Sequence, residues 1–451
     1  MDKRGIFLLL KDRNSLVLYT TAICNLKCRY CYIDKNPALK TIDDLLDESF
    51  KGDYYFNYAK KVFPDKNQLT EVQIWGGEPS IRLDRCYYTI EKLIEYYPNL
   101  KDFMTSTNFT IDNWCEQFYG FLNVFKKFPN RNFVVRLQLS IDGPEYINDE
   151  SRGIGVTKKF TNTFDKMIDT IDKNLPNNVF FEWFFKPTLD SGTIRLLQSE
   201  EKIIEYFQFF ESFYKKSKHL IRDNFNFGYS VPNTACPSPH TKEDGILFAN
   251  YCKLTRKIEK DNKEKHYFDF YTSITSFIPR HRCKIKGYAC SGGICGTGKY
   301  CVGLLPNNMI STCHNGFVDL ISDYKKECQK HLGENTSLDF NFFSENRKTR
   351  MTMKFEEFSE YEKQIEYFYY PETNTRIANI ASLINLLARV GQIDVKYKDR
   401  KESLLAAYFI QEATSYCIRD NINTTGCTSL YPVGLLKLLL NGAKEYIEEN
   451  E

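Results

Sequence analysis

At 451 residues, with 61 basic against 58 acidic side chains and a formal net charge of +3, the chain can bury a substantial core across two or three domains. Its balanced charge argues against a strongly electrostatic nucleic-acid binder. No stretch approaches the ~18 apolar residues of a membrane span, and Phe7-Leu8-Leu9-Leu10 is too short for a signal segment, so a cytoplasmic chain with no membrane partner is expected. Without an export signal, the 15 cysteines read as reduced thiols and metal ligands rather than disulfides.

A short leader, residues 1–15, runs into a β-branched and aromatic strand over 16–21. The stretch Cys24-Asn25-Leu26-Lys27-Cys28-Arg29-Tyr30-Cys31 follows at that strand's C-terminal end, where barrel enzymes keep their chemistry. Thiolates are soft ligands for iron–sulfur clusters, copper(I) or zinc. Three of them can hold three irons of a cubane and leave the fourth open to a substrate. A structural zinc site asks for a fourth local Cys or His, and the nearest His lies far downstream.

Residues 43–63 carry a helical period with a break at Gly52. A strand over 71–75 ends in Gly76-Gly77-Glu78-Pro79. Paired glycines let the backbone approach a ligand closely, Pro79 stops the strand, and the Glu78 carboxylate can accept a hydrogen bond from an ammonium group. Helix and strand then alternate: helix 83–97, strand 103–108, helix 111–128 with Cys115 as a packed thiol, and strand 133–140 leading into Ile141-Asp142-Gly143-Pro144. Helix 158–171, strand 179–186, helix 200–217 and a sixth strand over 225–231 complete the series. The expectation is an α/β fold with a partial (β/α)6 barrel of the TIM type over residues 1–235, its open side suiting a large substrate such as a peptide.

Residues 236–282 read as a linker with a helix over 241–260 and a structural Cys252. Cysteine density rises over 283–350, at Cys283, Cys290, Cys295, Cys301, Cys313 and Cys328. The Gly-rich loop from Cys290 to Gly298 precedes a strand (300–305), a Pro306-Asn307-Asn308 turn, a strand (309–312) and Cys313. Backbone N–H groups of such a loop can donate to cluster sulfides, with zinc as the alternative occupant; Cys301, inside a strand, reads as buried. Residues 351–451 are helical over 376–390, 402–415 and 433–448, with Cys417 and Cys427 in the last loop.

The C-x3-C-x2-C spacing, Gly76-Gly77-Glu78-Pro79 and Ser140-Ile141-Asp142-Gly143-Pro144 with Arg152 resemble the radical S-adenosylmethionine (SAM) superfamily, in its sulfatase-maturing and SPASM-type peptide-modifying branch. The resemblance implies a 4Fe–4S cluster on Cys24, Cys28 and Cys31. It implies a SAM site in which Gly76, Gly77 and Glu78 meet the amino group and Ser140 and Arg152 meet the ribose and carboxylate, with Tyr30, Asn108 and Asp142 alongside. A guanidinium is the natural bidentate partner of a carboxylate. Two positions depart from the family pattern: Phe109 replaces a Gly after Asn108, and Asn148 stands where His is usual.

The 290–313 segment resembles a SPASM or twitch domain, with Asn308 in place of a turn Gly. That implies at least one auxiliary 4Fe–4S cluster on Cys290, Cys295 and Cys313, its fourth ligand being Cys417 or Cys427, within a C-terminal auxiliary domain and helical tail. The family's dense closing run of cysteines is absent. His314 follows Cys313 where sulfatase-maturing relatives carry an Asp that takes a proton from the substrate; imidazole can do this, or simply pack beside the cluster. The implied activity is maturation of a peptide or protein substrate, with flavodoxin or ferredoxin as electron donor. A small molecule or RNA is the alternative substrate. A non-enzymatic iron–sulfur scaffold or electron carrier is the third reading, and it leaves Gly76-Gly77-Glu78-Pro79 and Ser140…Arg152 unexplained.

Overall fold

The computed structural model describes residues 14–31, 38–188, 191–220, isolated helical positions between 247 and 261, and 301–306, 308–311 and 352–354. The first strand, β1 (Ser15–Thr21), is buried along its whole length, as a strand with neighbours on both sides and layers on both faces must be. It pairs in parallel with β2 (Glu71–Gly76), which continues through β3 (Asp102–Thr107) and β4 (Phe133–Leu139) to β5 (Val179–Phe185). In β2 to β5 burial alternates along most of each strand, because successive side chains point to opposite faces.

Helices pack on one of those faces: α1 (Ala38–Phe50), whose Ile42 and Leu46 also meet Val17 and Tyr19 of β1, α2 (Tyr54–Val62), α3 (Tyr87–Tyr96), α4 (Trp114–Lys126), α5 (Glu145–Arg152), α6 (Val156–Asn174), α7 (Ser191–Leu196) and α8 (Glu200–Lys216). The break expected at Gly52 separates α1 from α2, with φ +63° at the glycine. Leu16, Leu18, Val72, Ile74, Phe103, Val135, Leu137, Phe181, Trp183 and Phe185 share one apolar core with helix residues such as Phe121, Phe125, Phe160 and Phe164. The opposite face is half-polar. Arg136 bridges Asp102 at 3.0 Å and Glu182 at 2.8 Å, and the Trp75 indole donates to Gln73 Oε1 at 3.0 Å.

The far side of β1 gives the fold a connection that periodicity did not reveal. β6 (Cys301–Leu304) pairs in parallel with β1, with β7 (Met309–Ser311) and β8 (Thr352–Lys354) antiparallel beyond it, in the order β5-β4-β3-β2-β1-β6-β7-β8. The hairpin expected in the auxiliary cluster region over 283–350 is thus paired, through β6, with the barrel sheet. Its Asn308 has φ +55°, the left-handed turn conformation for which Asn is suited. Cys301 is half-buried. The sixth strand expected over 225–231 lies outside the described residues. Among the described residues, no helix is long and apolar enough to cross a membrane.

Candidate functional site

The cysteine loop leaves β1 at a register irregularity between Tyr19 and Thr21, which re-aims the strand end. Thr21 Oγ1 and the Ala22 N–H both donate to Asp43 Oδ1, the latter at 3.1 Å. Asp43 is paired with buried Arg85 at 2.9 Å, and Arg85 also reaches Asp47 at 2.8 Å and the Thr20 carbonyl at 2.9 Å. None of these side chains carried a sequence signal. They lie on α1 and the turn before α3, and only packing brings them beneath the loop.

The glycine pair seats the loop from the other side. Gly77 N–H donates to the Thr21 carbonyl at 2.8 Å and Glu78 N–H to the Ile23 carbonyl at 2.9 Å. A Cβ on Gly76 would lie 2.3 Å from the Thr21 oxygen, and one on Gly77 2.3 Å from the Ile23 oxygen. The close backbone approach expected of these glycines is therefore made to the cysteine loop itself.

Glu78 is buried. Its carboxylate accepts from Ser80 N–H at 3.1 Å, from Asn108 N–H at 2.7 Å and from the Ser80 hydroxyl. Burial raises its pKa and these hydrogen bonds oppose the rise. Asn108 is buried as well. Its amide donates to Asn25 Oδ1 at 3.0 Å and points at Cys24 Sγ at 3.9 Å, while its Oδ1 accepts from Thr110 N–H at 2.9 Å. Phe109, the departure from the family pattern, takes φ +57°, the left-handed conformation a Gly would adopt without cost. Its buried ring packs on Trp114 at 4.5 Å and Phe160 at 5.2 Å, which offsets that strain.

Cys24, Cys28 and Cys31 are free thiols, all half-buried. Burial pushes the Cys28 thiol up to about 12; the nearby Arg152 charge opposes this, and Cys31, Asp142 and Cys24 add to it. Three thiolates on one loop would call for a cationic partner, and a bound metal deprotonates a ligating thiol outright. Among the described residues, no three His, Cys, Asp or Glu side chains group around a single ion. A cubane needs a different arrangement, one thiolate per iron, which three spaced thiols on one loop can provide.

The third motif closes over Cys28. Asp142, fully buried, accepts from Arg152 Nε at 2.8 Å and Nη2 at 2.9 Å, from the Tyr30 hydroxyl at 2.5 Å and from Thr188 N–H at 2.8 Å. The Arg152 guanidinium lies 5.5 Å from the Tyr30 ring centre. Arg152 is thus a buried cation whose Nε and Nη2 are already on a carboxylate of its own chain. Asn148 accepts from Asp142 N–H at 2.9 Å and donates to Thr157 Oγ1 at 2.9 Å, so an amide fills the place of the family's His with both its polar atoms bonded. The Arg29 N–H donates to the Ser151 carbonyl at 2.9 Å, and the Arg29 side chain pairs with Glu150. Ser140, half-buried, follows β4 directly, with its N–H on the Thr107 carbonyl at 2.8 Å.

Three motifs far apart in sequence therefore meet at one end of the sheet, joined by the cysteine loop. Cys290, Cys295, Cys313, His314, Cys417 and Cys427 lie outside the described residues.

No family model matches the chain. A serine-type anaerobic sulfatase-maturating enzyme of Bacteroides thetaiotaomicron is 28% identical over 214 residues, 41% of this chain and 46% of that protein. The chain thus aligns with about half the length of this curated relative. Solved structures with some likeness include native anSMEcpe with bound AdoMet (18% identity, 66% of this chain and 74% of that one, TM-score 0.41). Streptococcus suis SuiB bound to S-adenosylmethionine is another (15% identity, 74% and 62%, TM-score 0.36). At these scores the structural likeness is weak.

Proposed function

We propose that this chain, which resembles the radical SAM superfamily in its SPASM-type branch, is an enzyme that cleaves SAM reductively and oxidises or cross-links a residue of a peptide or protein. The observation that carries the reading is the convergence of the motifs: Gly77 and Glu78 bond to the cysteine loop backbone, and Asp142 and Arg152 close over Tyr30 and Cys28. When bound, a 4Fe–4S cluster with SAM supplies a 5′-deoxyadenosyl radical that takes a hydrogen atom from an unactivated C–H.

The chain's own residues supply position and charge. Cys24, Cys28 and Cys31 are the ligand set, and Arg152 sets a positive charge beside the thiolate of Cys28. Asn108 and Glu78 hold the neighbouring strand end in register with the loop. The half-polar lumen face, with Trp75, Gln73 and Arg136, can accommodate polar substrate groups. A peptide substrate is favoured over a small molecule or RNA by the likeness to a sulfatase-maturating enzyme and by the balanced charge.

The reading extends to the auxiliary 4Fe–4S cluster on Cys290, Cys295 and Cys313 with Cys417 or Cys427, to His314 as proton acceptor, and to a flavodoxin or ferredoxin donor. Reconstituted anaerobically with dithionite and SAM, the protein is expected to form 5′-deoxyadenosine, and the Cys24, Cys28 and Cys31 triple Ala variant to form none while retaining iron on the downstream cysteines. Nucleoside from the triple variant, or none from the wild type, overturns the reading, and the second result would favour an electron carrier. His314→Ala should still cleave SAM but yield little modified product.

A further inference from the structure

The stretch that carries the three cysteines is closed at its base. Thr21, the last residue of β1, and Asp43 on α1 stand 22 positions apart, and the Thr21 hydroxyl donates to Asp43 Oδ1. The Ala22 N–H donates to the same oxygen at 3.1 Å. Thr21 Oγ1 in turn accepts from the Ile23 N–H at 3.1 Å, one residue before Cys24. Everything from Cys24 to Cys31 therefore lies inside a ring of chain tied through one carboxylate. Thr21, Asp43 and Arg85 are all buried, a setting in which hydrogen bonds and ion pairs are stronger than in water.

The second carboxylate oxygen fixes the tie to the barrel. Asp43 Oδ2 is paired with Arg85 at 2.9 Å, and Arg85 also reaches the Thr20 carbonyl at 2.9 Å. One guanidinium thus holds both the strand end and the carboxylate that the strand end meets. Apolar packing runs beside these bonds. Ile42 and Leu46 of α1 share a cluster with Val17, Tyr19 and Ala22, and Cys31 packs against it. Thr21, Asp43 and Arg85 belong to none of the three motifs.

A ligand loop that is open at its base must give up chain entropy when its thiolates close on a cluster. One that is already tied gives up less, which is preorganisation. We propose that Thr21, Asp43 and Arg85 form a clasp that preorganises the cysteine loop, acting as positioning residues for its cluster rather than as general supports of the barrel. This role rests on the function proposed above.

Asp43→Asn would strand the buried Arg85 charge, so the variant of choice is Thr21→Val, which keeps the branched shape and removes the hydroxyl. Thr21→Ser keeps the hydroxyl and serves as the rescue. Two rates are measured on the full chain. One is iron release to a chelator from the reconstituted protein, counting only the iron that the Cys24, Cys28 and Cys31 triple Ala variant lacks. The other is alkylation of each thiol in the metal-free protein, read by peptide mass mapping. Thr21→Val is expected to release that iron about tenfold faster, the scale of one hydrogen bond to a charged group. Its Cys28 should be alkylated severalfold faster, with Cys115 on α4 unchanged, and Thr21→Ser should stay near wild type in both rates. Wild-type rates in Thr21→Val, or a rise at Cys115 matching that at Cys28, overturn the clasp while leaving the radical SAM reading in place. Equal iron in the wild type and the triple Ala variant overturns the radical SAM reading, and the alkylation of Cys28 against Cys115 then decides the clasp alone.

Discussion

Cys28 and Asp142 are the residues whose surroundings have the most direct consequences. With its pKa pushed up to about 12 by burial, Cys28 stays protonated at neutral pH in the metal-free protein. The thiolate is the nucleophile, so alkylation by iodoacetamide should be slow near about pH 8 and should accelerate as pH rises toward that value. Removing the neighbouring cation in Arg152→Met should slow it further, because the Arg152 charge favours the thiolate. Peptide mass mapping reads both rates, and a Cys28 as reactive as an exposed thiol would contradict the burial argument. Asp142→Asn leaves Arg152 buried against a neutral amide, so a loss of about 3–5 kcal/mol is expected in chemical denaturation. Arg152→Met in the same background should recover part of it, since the two side chains act as one unit. Simple additivity of the two losses would mean that the pair is not coupled.

At the scale of elements, the loop after β1 is held by the end of β2 more than by anything within itself. The space that Gly77 leaves is filled by the Ile23 carbonyl, which is backbone and cannot rotate away. Gly77→Ala must therefore displace the cysteine loop or the strand end. Expected outcomes are a stability loss of about 1–3 kcal/mol and a lower iron content after reconstitution. Gly303→Ala offers the contrast, since its added methyl meets the ring of the Tyr19 side chain instead of backbone. It should leave iron loading at the cysteine loop closer to wild type, and equal iron loss in both variants would argue against a specific seat for the loop.

For the whole molecule, the pairing of β6 with β1 decides where the barrel can be cut. Leu305, with half-buried Cys301 and Met309, packs on Val17, Tyr19, Ala22, Ile42 and Leu46. A fragment of residues 1–235 would lose β6, uncover that cluster and leave β1 with a free hydrogen-bonding edge. Open apolar edges template aggregation, so this fragment should be insoluble or bind hydrophobic dyes strongly, whereas the full chain should not. A soluble 1–235 fragment with a single cooperative unfolding transition would show that the hairpin is dispensable to the barrel.

The alternation of strand and helix, the break at Gly52, the turn at Asn308 and the three motifs were legible in the amino-acid sequence, because each is set by local period, by backbone freedom or by side-chain chemistry over a few neighbours. The Asp43–Arg85 pair, the occupancy of Arg152 by Asp142 and the insertion of β6 beside β1 were not. Each depends on which strand lies next to which and in what register, and a one-residue slip would reverse every facing along a strand. Charge type told what Arg152 and Gly77 could do; the packed sheet decided what they meet.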